Sequence, residues 1–207
     1  MTIRAVVFDF GGVLFDWSPQ HLYRKLIADD VERQWFLDTI CTQDWNTEQD
    51  AGRSLAEATR TLIDQHPDHH TLIQAYYERW HEMLRGDLPE GVAMLEALYQ
   101  ANVPLFGLTN WSAETFPYAR ANYPFLQRFR NIVVSGEVKL IKPDPAIYHT
   151  SLEQVRAHLP DIQPGEVVFI DDVEGNIDAA VALGWQGIHH VSAERTAARL
   201  RELGVAF

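Results

Sequence analysis

This sequence predicts an α/β fold: a doubly wound, Rossmann-like parallel sheet interrupted by an all-helical insertion. Three observations carry that expectation. Short apolar runs recur along the chain, helical patterns separate the last four of them, and residues 17–86 hold helical signals alone. Alternation of strand and helix builds a parallel sheet covered by helices on both faces.

The runs are "IRAVVFDF" (3–10), "VPLFGLTN" (103–110), "NIVVSG" (131–136), "EVVFIDD" (166–172) and "WQGIHH" (185–190). They are nearly continuous in apolar character, as strands buried on both faces require. Taking the runs in sequence order, the expected strand order is 5-4-1-2-3. Between the runs, "PEGVAMLEALYQ" starts a helix with proline in its first turn, and "DPAIYHTSLEQVRAHL" has an Asp-Pro start. "VEGNIDAAVALG" stops at glycine, and Pro117 shortens or bends the helix in "SAETFPYARANY".

Within the insertion, "SPQHLYRKLI" has a serine cap followed by proline, and Ser54 with Glu57 forms a capping-box pattern. Further on, Leu72, Ile73, Tyr76, Tyr77, Trp80, Met83 and Leu84 repeat on one helical face. The expected organisation is a core domain of residues 1–16 and 87–207 and a helical cap of residues 17–86. Hinges are expected near Asp16-Trp17 and Gly86-Asp87.

Composition narrows the function classes. Seventeen Lys and Arg against 29 Asp and Glu give a net charge of −12, which argues against nucleic acid as a partner. Cys41, the only cysteine, excludes an internal disulfide and suits a reducing compartment. "MTIRAVVFDF" lacks a signal-peptide core, and no apolar run approaches membrane-spanning length, so a cytoplasmic location without a membrane partner is expected.

Ligands of open parallel sheets bind outside the carboxyl ends of the strands. The first run ends at Asp9, the second at Thr109-Asn110 and the fourth at Asp171-Asp172, while Lys139 and Lys142 follow the third. Three carboxylates converging on one crevice repel one another unless a divalent cation joins them, and an all-oxygen donor set suits Mg²⁺.

The phrases "VVFDFGGV", "LFGLTN", "KPDP" and "VVFIDD", in that order and in register with the strands, resemble the four motifs of the haloacid dehalogenase-like hydrolase superfamily. The insertion falls where many members carry a mobile cap. The resemblance implies that Asp9 attacks phosphorus, giving an aspartyl-phosphate that water hydrolyses. It implies Mg²⁺ on Asp9, the Gly11 carbonyl and Asp172, with Asp171 bound through water or acting as an acceptor behind it. Thr109 and Lys142 would hold the phosphoryl oxygens, Asn110 would donate a further hydrogen bond, and Asn176 would orient the acids. Amides around Gly11 and Gly12 would form an anion nest.

One position departs from the pattern. Family phosphatases usually carry a second aspartate two residues after the nucleophile, which protonates the leaving oxygen; here that residue is Gly11. Three expectations stay open. The protein is a phosphatase of a small phosphorylated substrate whose proton comes from elsewhere, Asp16 being one substitute. Or it is a metal-independent 2-haloacid dehalogenase, a branch that also lacks the second acid and places a tyrosine where Tyr148 stands. Or it is a low-turnover phosphate-binding module.

Other residues have plainer readings. "HPDHH" (66–70) reads as a solvated loop, His189-His190 as packing or surface, Cys41 as a buried thiol and Lys139 as a surface charge. The Tyr76–Trp80 stripe reads as helical core. Trp17, Trp45 and Trp111 are candidates for the cleft wall as much as for the core.

Overall fold

The computed structural model describes residues 2–207. Seven strands form among the described residues: β1 (Ala5–Phe8), β2 (Phe15–Trp17), β3 (Leu84–Asp87), β4 (Leu105–Thr109), β5 (Asn131–Val134), β6 (Val167–Asp171) and β7 (Gln186–His189). Five of them make one sheet in the order β5-β4-β1-β6-β7, every pair parallel. Counting only these five strands in sequence order, that is the expected 5-4-1-2-3 arrangement.

Side chains alternate across a strand, so each strand feeds two cores. Val6, Phe8, Val168 and Ile170 pack with Leu95, Leu98 and Leu200 of helices Pro89–Gln100 and Ala193–Glu202. Ala5, Val7, Phe106 and Phe169 face the other way, against Ile147, Leu152 and Ile177 of helices Pro145–His158 and Glu174–Ala182. Both faces are dry, which explains why the strands read as unbroken apolar runs. Helix Phe116–Asn122 starts with Pro117 in its first turn, so the proline sets where that helix begins.

Between β2 and β3 lie helices Pro19–Tyr23, Asp30–Thr39, Gln43–Asp50, Leu55–Gln65 and His70–Glu78. Ser18, Asp29, Thr42 and Ser54 cap the first four, each accepting a backbone N–H of the first turn. The expected apolar stripe is buried at Ile73, Tyr76, Trp80, Met83 and Leu84, but the α-helix ends at Glu78 and Trp80–Glu82 forms a 3₁₀ turn.

The all-helical description of residues 17–86 needs one correction. β2 and β3 pair antiparallel, Phe15 opposite Asp87 and Asp16 opposite Gly86, with an irregularity before Trp17 meets Leu84. The bond from Leu88 N to Leu14 O (2.8 Å) extends the ribbon toward the sheet. "FDW" and "LRGD" are too short to show a period-two pattern and contain no β-branched residue, so they carry no strand signal. The ribbon falls at the two positions where hinges were expected. Among the described residues no helix is long and apolar enough to cross a membrane.

Candidate active site

The sheet delivers its polar residues to one edge. β1 ends at Phe8, and the Asp9 N–H, just beyond it, donates to the Ile170 carbonyl of β6 at 2.8 Å. Thr109 and Asp171 close β4 and β6. Parallel strands in register therefore set three polar side chains side by side.

Lys142 joins two of these groups. Its Nζ lies 2.9 Å from Asp9 Oδ1 and 2.6 Å from Asp171 Oδ2, over the ring of Phe169. Asp9, Lys142 and Asp171 are all buried. Burial alone would lower the Lys142 ammonium, but the two carboxylates outweigh it and hold it above its ordinary value. Burial pushes Asp9 up to about 7 against the pull of Lys142.

Asp171 has a full set of donors. Beside Lys142, it accepts from Val173 N at 2.8 Å and from Asn176 Nδ2 at 3.1 and 3.0 Å on its two oxygens. Asp172 is exposed, and its carboxylate lies against Gly12: a Cβ at Gly12, whose φ is +67°, would come within 2.3 Å of Asp172 Oδ2. Gly12 is therefore required twice, by its backbone and by the space Asp172 occupies. Asp9, Asp171 and Asp172 each bring one oxygen to within 4.8 Å of the others, and no other such group of metal-ligating residues occurs among the described residues.

Asn110 and Lys142 clasp each other. Asn110 Nδ2 donates to the Lys142 carbonyl (3.1 Å) and its Oδ1 accepts the Lys142 N–H (2.9 Å), so the amide fixes the backbone that aims the lysine. Lys139 is exposed, in left-handed conformation, its side chain over Gly52.

Asp9, Gly11, Gly12, Thr109, Asn110, Lys142, Asp172 and Asn176 line one cavity of about 350 Å³. Asp171 lies behind its wall. Trp17 and Trp111 are on the wall, whereas Trp45 packs on Tyr76 and Tyr77. Trp80, expected to be core only, is also on the wall and tilts against Trp111.

One wall of the cavity was not legible in the sequence. Gln43, Asn46, Thr47 and Asp50, at i, i+3, i+4 and i+7 of helix Gln43–Asp50, all line the cavity. A polar helical face ordinarily points to water. The available clue was that "QDWNTEQD" has a single large apolar residue, too few to dock a helix unless its polar face is also covered.

Residues outside the cavity are accounted for by packing. His69 lies between Trp35 and Phe36, and Cys41 is buried, its thiol pushed up to about 12 by that burial. His189 contacts the Asp172 carbonyl and His190 the Thr196 hydroxyl. Asp16 pairs with His21 at 2.8 Å, away from the cavity wall. Tyr148 donates to the Asn176 carbonyl at 2.8 Å and packs on Phe169 and Trp185.

The chain matches the haloacid dehalogenase-like hydrolase family over residues 6–189, from β1 to the end of β7. It belongs to that family. The hydrolase is 27% identical over 202 residues to the sesquiterpene phosphatase astK of Aspergillus oryzae, covering 98% of this chain and 97% of that one. Among solved structures it resembles a HAD family enzyme of Bacteroides thetaiotaomicron in complex with magnesium and inorganic phosphate (TM-score 0.63, 22% identity, 90% and 93% of the two chains). It also resembles the L-2-haloacid dehalogenase of Xanthobacter autotrophicus (TM-score 0.60, 19% identity, 100% and 85%). At these identities the two structures establish a shared fold.

Proposed function

We propose that this hydrolase cleaves a small phosphomonoester, with Asp9 as nucleophile and Mg²⁺ as cofactor. One observation carries the proposal: three carboxylates present oxygens within 4.8 Å of one another, and Lys142 pairs with only two of them. The third, Asp172, faces the cavity with no cationic side chain against it among the described residues. An oxygen-only donor set fits a hard divalent cation. Asp9, the Gly11 carbonyl and Asp172 would hold it. Asp171, already engaged by Lys142, Val173 and Asn176, would act behind them. When bound, the ion neutralises carboxylates and phosphoryl group together, so that an anionic ester tolerates an anionic nucleophile.

The protein's own groups do the rest. Asp9 attacks phosphorus in line and becomes an aspartyl ester of phosphate, which water then cleaves. Lys142, aimed by Asn110, and Thr109 at the end of β4 hold phosphoryl oxygens as charge develops on them. The phosphatase activity named for astK supports this choice over dehalogenation, as does Tyr148, whose hydroxyl is committed to the Asn176 carbonyl and does not line the cavity.

The test is phosphate release from 4-nitrophenyl phosphate, with Mg²⁺ and with chelator. Hydrolysis that needs Mg²⁺ and disappears in Asp9→Asn is expected. Turnover of a 2-haloacid that ignores chelator would overturn the proposal, and so would tight binding of phosphate without turnover.

A further inference from the structure

A departing alkoxide needs a proton, and Gly11 has none to give. We propose that Asp50, supplied by the inserted helix Gln43–Asp50, is the acid that protonates the leaving oxygen; the proposal rests on the phosphatase function above.

Place comes first. Asp50 lines the same cavity as Asp9, and among the described residues it is the one acid on that wall besides Asp9 and Asp172. The remaining polar side chains that the insertion contributes are amides and a hydroxyl, which do not serve as acids near neutral pH. Asp16, the acid nearest in sequence to Gly11, is held by His21 on the ribbon and does not reach the wall.

Asp50 is also fixed in position. Its carbonyl accepts the Ser135 hydroxyl at 2.6 Å, and Ser135 Oγ accepts the Trp111 N–H at 2.8 Å. The end of the helix is thereby tied to the loop that follows Thr109. Its Oδ2 accepts from Asn46 Nδ2 at 3.0 Å. Among the described residues no cation pairs with it: Arg53 goes to Glu48, and Lys142 to Asp9 and Asp171. A half-buried carboxyl without a cation favours its neutral form, and burial pushes Asp50 up to about 7. It is thus a carboxylic acid at the pH where most of its kind are carboxylates.

The chemistry balances over two steps. As Asp9 forms its bond to phosphorus, the P–O bond to the leaving group breaks and that oxygen takes the Asp50 proton, leaving as an alcohol. The Asp50 carboxylate then removes a proton from water. The water oxygen bonds to phosphorus, Asp9 departs as carboxylate, and inorganic phosphate and protonated Asp50 are restored.

The test pairs two esters of similar size, phenyl phosphate and 4-nitrophenyl phosphate, on wild type and on Asp50→Asn, with Mg²⁺ present. Nitrophenolate leaves without a proton; phenolate leaves poorly without one. The variant should lose ~10²- to 10⁴-fold in kcat/KM on phenyl phosphate and stay within a few-fold on the nitrophenyl ester. It should also show a burst of nitrophenolate, since water attack is slowed after a normal first step. Asn matches the neutral acid in shape, and a melting temperature no lower than that of wild type checks the fold. Equal losses on both esters, or none on either, would overturn the role of Asp50 alone. A wild-type protein that hydrolyses neither ester would overturn the phosphatase function and the role of Asp50 with it.

Discussion

Gly11 and Gly12 are neighbours with opposite tolerances. A Cβ at Gly11 meets nothing within 4 Å, so Gly11→Asp should fold like the parent. It would restore the second acid usual in family phosphatases. In the Asp50→Asn background it should recover at least ten-fold on phenyl phosphate, out of the ~10²- to 10⁴-fold that a general acid supplies. Gly12→Ala has no such room, with Asp172 Oδ2 2.3 Å from the new Cβ and a φ of +67°. Its cost is about 1–3 kcal/mol of backbone strain together with a displaced Asp172. A weaker Mg²⁺ activation midpoint and a lower urea midpoint are the measurements that show both. Lys142→Met tests the pairing itself. It leaves Asp9 and Asp171 buried without their shared ammonium, and breaking a buried pair this way costs about 3–5 kcal/mol. Denaturant unfolding at pH 7 should show that loss beside an inactive enzyme. Lys142 could be told from Lys139 in the sequence because it precedes the proline of "KPDP". The Asn110 clasp could not, since a turn asparagine has many uses.

At the scale of elements, the strands were legible because both of their faces are dry, and Asp9, Thr109-Asn110 and Asp171-Asp172 were then read from the ends of their runs. The ribbon β2–β3 was not legible, because three or four residues without β-branching show no period. Helix Gln43–Asp50 was missed for a different reason: its polar face meets a cavity, and sequence periodicity cannot distinguish a cavity from solvent. That helix carries a stability prediction through Asp50. The folded protein holds Asp50 near 7, above the ordinary aspartate value of about 3.9. A raised acid favours the folded state below the unfolded value and loses that stability as pH climbs through the folded one. The charged groups that face it are Asp9, Lys142 and Asp172 on the cavity side, with Asp171 behind them, and Arg53, paired with Glu48, on its own chain segment. Tyr76 and Tyr77 of helix His70–Glu78 are held well above their ordinary values by burial and stay neutral. All of these remain in Asp50→Asn, so they cancel in the comparison. The melting temperature of the variant minus that of wild type should therefore rise between pH 4 and pH 7 and level off above, with each kcal/mol worth about 2–4 °C in a chain this long. A difference that stays flat across that range would show that the Asp50 carboxyl ionises as freely when folded as when unfolded.

For the whole molecule, the cavity has two sources. The sheet edge brings Asp9, Lys142 and Asp172, and the segment between β2 and β3 brings Asn46, Thr47, Asp50 and Trp80. The covalent route between them is the short ribbon. Noncovalently, the segment rests on the core through the Asp50–Ser135 bond, the Leu55 N–H on Glu114 Oε1 (2.8 Å), the contacts of Trp80 with Trp111 and Tyr118, and that of His81 with Tyr118. A few polar contacts and a small aromatic cluster hold the two parts together, so opening about the ribbon should cost less than unfolding either part. Filling the cavity with Mg²⁺ and inorganic phosphate adds partners on both walls and should tighten the closed form. Amide exchange should then slow across residues 43–55, where the wall helix and the docking loop lie. Helix Asp30–Thr39, which does not line the cavity, should stay unchanged because it moves as part of the same segment. Glu114→Ala should remove the added protection at Leu55 while leaving that at Glu57, whose N–H is held by Ser54 within the helix. Equal exchange with and without ligand across 43–55 would mean that the segment is a fixed wall and that substrate enters a cavity already closed.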